Sequence, residues 1–97
     1  MKSIVVSAAI ASKLHKKHRV SINEVAQCFY NRLRNLLYDT RAKTKTIPPT
    51  LWFIALTNKN RKLKIVYIQK EFQLILKTAY EPNEIELNIY ERFGTAP

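Results

Sequence analysis

A chain of 97 residues, 46% of them hydrophobic, can bury one core but not two, so a single domain over residues 1–97 is expected. A formal net charge of +10 and an isoelectric point near 10.0 point to a polyanionic partner, because cations gathered on one surface bind phosphates by releasing condensed counterions. The only glycine is Gly94. This excludes the glycine loops that cradle nucleotide phosphates and the strand-to-helix elbow of serine hydrolases.

The charge is unevenly placed. Residues 1–64 carry 14 Lys or Arg against two acids, Glu24 and Asp39, whereas residues 65–97 carry 3 against 5. The basic surface must therefore come from the first two thirds. The lone cysteine, Cys28, cannot close an internal disulfide; between Val25 and Phe29 it reads as a packed side chain in a reducing compartment. The start, "MKSIVVSAAIASK", has the charge and apolar run of a short signal peptide. The run is far below the ~20 residues of a membrane span and continues into an amphipathic helix. A cytoplasmic chain without membrane attachment is expected, secretion being the lesser alternative.

In chain order, the β-branched residues Ile4–Val6 read as a short strand. Ser7 caps a helix from Ala8 to about His18, with Ile10 and Leu14 on its inner face. Ser21 and Glu24 fit the reciprocal capping box of a second helix, whose Ile22, Val25, Phe29, Leu33 and Leu36 recur every three or four residues. "LLYDT", residues 36–40, begins a further strand, and "TRAKTKT", residues 40–46, reads as an exposed loop ended by Pro48 and Pro49.

Three strands follow. "TLWFIALT", residues 50–57, is apolar on both alternating faces and suits a strand covered on two sides. The turn "NKNR" joins it in a hairpin to "KLKIVYI", residues 62–68, and "QKE" leads to "QLILKTA", residues 73–79, making an antiparallel meander. Pro82 and Asn83 end the strand and cap a helix from Glu84 to Phe93, with Ile85, Ile89 and Phe93 expected on its buried face. The order predicts an α+β domain, a small twisted antiparallel sheet with helices packed on one face. No internal repeat or low-complexity tract is present.

"HKKHR", residues 15–19, holds the candidate chemistry. His15 and His18 lie three apart on the first helix, but no carboxylate or thiol is close in sequence, and Lys16, Lys17 and Arg19 repel a divalent cation. Phosphate-facing or surface histidines are the better reading, so neither a metal nor a cofactor is expected. Cleaving RNA needs only a base at the ribose hydroxyl, an acid at the leaving oxygen and cations over the developing charge on phosphorus. His, Lys, Arg and Tyr suffice. Against this, Arg61, Lys64 and Lys77 also suit the solvent side of strands, and Tyr67 and Tyr80 also suit a core or its rim.

Several blocks resemble a known family. "KHRVSINEVAQCF", residues 17–29, is similar to the "KHGVSFEEA...F" signature of BrnT-like toxins, a branch of the RelE-type bacterial ribonuclease toxins. Asp39 in "LYDTR", "LWFIALTNKNRKLKIVYI", "LKTAYEPNEIELNIYERF" and Tyr90 follow in the order of that family's later blocks, over roughly residues 13–93. The resemblance implies a RelE-like α+β fold, cleavage of free or translated mRNA, and neutralisation by an antitoxin encoded alongside. By position, His18 matches the family histidine and Arg61 the arginine of its "GR" turn. Three positions depart from the pattern: Thr50 and Tyr80 stand where the family has arginines, and Arg19 stands where it has glycine. Tyr80 is then left as an acid or base, and Lys77 as the replacement cation.

The leading expectation is the toxin of a type II toxin–antitoxin pair, a metal-independent mRNA endoribonuclease. Arg61 and Lys77 would stabilise the scissile phosphate, His18 or Tyr80 would transfer protons, and Lys13, Lys16, Lys17, Arg41, Lys43, Lys45 and Lys64 would hold the RNA backbone. The alternative is a non-catalytic RNA- or partner-binding protein of the same fold. A third reading, a small enzyme acting on a nucleotide-type metabolite, has no residues that can be named for it.

Overall fold

The structure is a computed structural model and describes residues 3–32, 37–38 (backbone only) and 49–93. Strand β1 (Ser3–Val5) leads into helix α1 (Ala8–Lys13), which continues as a π-helical turn over Leu14–His18. Helix α2 (Ile22–Asn31), strands β2 (Leu37–Tyr38), β3 (Thr50–Leu56), β4 (Lys62–Lys70) and β5 (Gln73–Tyr80), and helix α3 (Glu84–Phe93) follow. The expected helix positions Leu33 and Leu36, and the loop at residues 40–46 with Arg41, Lys43 and Lys45, lie outside the described residues.

Local chemistry explains the helix starts. The Ser7 hydroxyl accepts the Ile10 amide at 3.2 Å. At α2 the capping box is complete: Ser21 Oγ accepts the Glu24 amide at 3.1 Å, and Glu24 Oε1 accepts the Ser21 amide at 3.0 Å. The π-helical turn ends at Arg19, whose φ of 53° and ψ of 44° are left-handed. The Arg19 and Val20 amides both turn back to the Leu14 carbonyl, the second at 3.0 Å.

The sheet order is β1-β5-β4-β3-β2. The meander β3–β4–β5 is antiparallel as expected, and β2 is antiparallel to β3. β1 instead runs parallel to β5, Ser3 opposite Gln73 and Val5 opposite Ile75, so the sheet is mixed. The long path from β1 to β5 permits this, since parallel neighbours need a crossover rather than a tight turn.

The α+β class holds, but the helices cover both faces of the sheet. Phe29 of α2 meets Phe53 edge-on at 5.1 Å and Tyr67 at 5.0 Å. Trp52, the next residue along β3, meets Tyr90 of α3 at 5.7 Å. Adjacent strand residues point to opposite faces, so α2 and α3 lie on opposite sides. The two-sided apolar pattern of β3 anticipates this. Leu14, Val25, Cys28, Phe53, Leu63 and Ile65 are fully buried between α1, α2 and the sheet. Cys28 Sγ faces the Ala55 carbonyl at 3.7 Å, and burial pushes its thiol up to about 11, away from nucleophilic use at neutral pH.

Helix α3 has its expected bounds but not its expected face. Ile85, Ile89 and Phe93 are 70%, 40% and 66% exposed, while Tyr90 is buried and Glu86 and Leu87 are half-buried. Its rotation follows from Lys64, which sits within β4 at 7% exposure and needs a carboxylate close by. Glu86 supplies one at 2.7 Å. Among the described residues, no helix is long and apolar enough to cross a membrane.

Candidate active site

The π-helical turn, the β3–β4 turn and the C-terminal end of β5 converge at one end of the sheet. His18, the last residue of the π-helical turn, places its ring 5.5 Å from that of Tyr80, tilted by 35°. The two expected proton-transfer residues are thus neighbours, though separated by more than 60 positions in the chain. Partial burial holds the His18 imidazole below its ordinary value of 6.5, and the charges of Lys17 and then Lys13 lower it further. Its neutral form is therefore favoured at neutral pH. His15 is exposed, as are Lys13, Lys16 and Lys17, which form a cationic strip along α1 and its extension.

Arg61 joins these elements from the β3–β4 turn. The turn is closed by Thr57, whose amide donates to the Arg61 carbonyl at 2.8 Å and whose hydroxyl accepts the Arg61 amide at 3.1 Å. The guanidinium donates from Nη2 to the His18 carbonyl at 3.2 Å and from Nη1 to the Arg19 carbonyl at 2.9 Å. It also reaches Glu24 Oε2 from Nη1 at 3.0 Å, and Glu81 Oε2 from both Nε and Nη2 at 2.9 Å. The guanidinium is thus engaged by two backbone carbonyls and two carboxylates of the same chain. In this arrangement Arg61 holds the His18 turn, the start of α2 and the end of β5 together. The Ser21 amide, foremost, and then Arg61 keep Glu24 below the usual carboxylate range despite partial burial.

Lys64 is buried rather than on the solvent side of its strand. Its ammonium lies 4.5 Å from the centre of the Trp52 ring and 5.7 Å from that of Tyr80, and it donates to Glu86 Oε2 at 2.7 Å. The same oxygen accepts the Tyr80 hydroxyl at 2.7 Å. Glu86 is itself held by a reciprocal cap with Asn83, whose amide donates to Oε1 at 3.0 Å while its side-chain oxygen accepts the Glu86 amide at 2.8 Å. Burial alone would raise the Glu86 pKa, but Lys64, the Asn83 amide and Tyr80 together bring it below the ordinary value.

Lys77 is not drawn into this cluster. Between Val66, paired with Thr78, and Tyr67, paired with Leu76, the register slips and leaves Lys77 as the extra residue of a bulge. It is exposed there, about 10 Å along the strand from Tyr80. Among the described residues no group of three or more His, Cys, Asp or Glu side chains is placed to hold a metal ion.

Sequence reasoning missed Glu24, Glu81 and Glu86 as members of the cluster, and Trp52 as its aromatic floor. The capping signatures Ser21–Glu24 and Asn83–Glu86 were visible, but a capping carboxylate has further lone pairs, and nothing local says where they point. A cavity of about 670 Å³ between the end of α2 and α3, at Tyr30, Arg32, Ile54, Leu87 and Tyr90, is lined by none of the expected site residues. The chemistry concentrates instead at the open sheet end. No protein-family model matches the chain, and no match was found among curated proteins.

Proposed function

We propose that this protein is a metal-independent endoribonuclease acting on mRNA, the toxin of a toxin–antitoxin pair. The observation that carries the reading is the His18–Tyr80 pair beside a cationic strip, in a chain of net charge +10. Neutral His18 takes the proton of a ribose 2′-hydroxyl as its oxygen attacks phosphorus. Tyr80, its hydroxyl released from Glu86, donates its phenolic proton to the departing 5′ oxygen, leaving a 2′,3′-cyclic phosphate. Lys13, Lys16 and Lys17 track the RNA backbone. Arg61 acts as a positioning residue, holding both members of the pair through His18 O and Glu81. The resemblance to BrnT-like sequences supports the substrate class and supplies the partner, a co-encoded antitoxin.

One observation favours a second reading, an RNA- or partner-binding protein that does not cleave. Two cations at the pair, Arg61 and Lys64, are both engaged by carboxylates of the same chain. Inducing the wild type, His18→Ala and Tyr80→Phe in bacterial cells and mapping RNA 5′ ends separates the two. New ends with growth arrest for the wild type alone support the nuclease. Unchanged ends, with salt-sensitive RNA retention on the purified protein, support the binding protein.

A further inference from the structure

The Lys64–Glu86 pair is not explained by stability. A buried ion pair loses much of its attraction to desolvation, and well-packed apolar residues of similar volume usually serve the fold as well or better. Yet Lys64 occupies the middle of the sheet, with both strand neighbours, Leu63 and Ile65, fully buried. Its ammonium and the Tyr80 hydroxyl converge on a single oxygen, each at 2.7 Å, which is how a lysine and a tyrosine grip one oxygen of a phosphate. The Trp52 and Tyr80 rings flank that point, and the His18 ring is 5.5 Å from that of Tyr80.

The group that fills the position is weakly tied to the sheet. Of the residues of α3 only Tyr90 is buried, and Ile85, Ile89 and Phe93 face outward. It joins β5 through Glu81, Pro82 and Asn83, where Pro82 lacks the amide needed to extend the strand ladder.

We propose that Lys64, Tyr80 and Trp52 form a phosphate-binding site that Glu86 occupies from within the chain, so that α3 is a built-in competitor which a phosphodiester must displace. The inference rests on the RNA reading for the natural ligand, but its test does not. Displacing α3 frees the Lys64 cation beside His18 and Tyr80, supplying the charge that the closed form withholds.

Trp52 is the only tryptophan, so its fluorescence reports on this site alone. Wild type, Glu86→Ala and Glu86→Ala/Lys64→Met are titrated with inorganic phosphate, and in parallel with acetate, at constant ionic strength and pH 7. Glu86→Ala should show a saturable Trp52 response at least about tenfold tighter than wild type, since a competing state has been removed. Adding Lys64→Met should abolish it. Glu86→Gln, which keeps a side chain able to accept the Asn83 amide, should respond in the same direction, and far-UV circular dichroism verifies that each variant is folded. A folded Glu86→Ala that responds no more strongly than wild type overturns the proposal, as does a response that survives Lys64→Met or an equal response to acetate. Phosphate binding at Lys64 without any new RNA ends in cells would uphold this site while overturning the nuclease reading.

Discussion

The Arg61 guanidinium lies 3.0 Å from the Glu24 carboxylate, which at the same time caps α2 through Ser21. One carboxylate thereby fixes a helix start and anchors the cation that holds the His18 and Arg19 carbonyls. Arg61→Ala removes these contacts at once and leaves two carboxylates and two carbonyls to find water. The expected loss is about 2–4 kcal/mol of folding stability, read as a lower urea midpoint at unchanged slope. Arg61→Lys should recover only part of it, because an ammonium cannot reproduce the planar fork. A variant as stable as the wild type would remove Arg61 from its proposed place as the clamp.

Arg19 and its backbone make a second stability test. At φ 53° its Cβ crowds the adjacent carbonyl, and only glycine adopts this region freely. What the clamp uses is the Arg19 carbonyl, which any residue supplies. Arg19→Gly should therefore stabilise the fold by about 0.5–1 kcal/mol, relief of strain exceeding the added freedom of the unfolded chain. The checking measurement is the thermal midpoint, and a fall would mean that the exposed Arg19 side chain contributes more than its backbone costs.

What was legible in the sequence was local. The Ser21–Glu24 box, the "NKNR" hairpin and the bounds of α3 depend on residues within four positions of each other. The same holds for the two-sided pattern of β3. The site depends on contacts that no local pattern encodes: Arg61 reaches Glu24 across 37 residues and the His18 carbonyl across 43. Lys64 looked like a solvent-side lysine because alternation assigns a face without saying what covers it. The covering helix then had to turn its Glu86 inward, and Ile85, Ile89 and Phe93 outward, against their own apolar periodicity. Of the expected site residues, His18 and Tyr80 come together, Arg61 supports them, and Lys77 stands apart.

Two depressed carboxylates among the described residues contribute to the response to acid. Glu24 and Glu86 both titrate below their ordinary value of 4.5 in the folded chain. A carboxylate with a lowered folded pKa binds its proton more readily when unfolded. The stability it contributes is fully present above the unfolded value and is lost as pH falls through the folded one. The urea midpoint should therefore be steady near neutrality and decline below about pH 4.5. Glu86→Gln should flatten that decline, since one of the two groups no longer titrates. A variant with the wild-type acid profile would show that the Lys64–Glu86 pair is not linked to folding.

His18 offers a reading of the site that does not depend on finding the RNA target. Its folded pKa lies below 6.5, first through partial burial and then through Lys17 and Lys13. Because the charged form is disfavoured on folding, the linked stability is present above the unfolded value and diminishes as pH drops. Lys17→Gln removes one repelling charge while leaving burial intact, so the His18 titration followed by NMR should move upward. If His18 is the general base, kcat/KM on an RNA oligonucleotide should fall on the acid side with an apparent pKa below 6.5, and Lys17→Gln should shift that limb upward with the NMR value. His18→Ala should cost about 10²-fold or more in rate while leaving backbone binding to the lysine strip nearly unchanged. An acid limb that stays fixed when the His18 titration moves would assign the base to another residue.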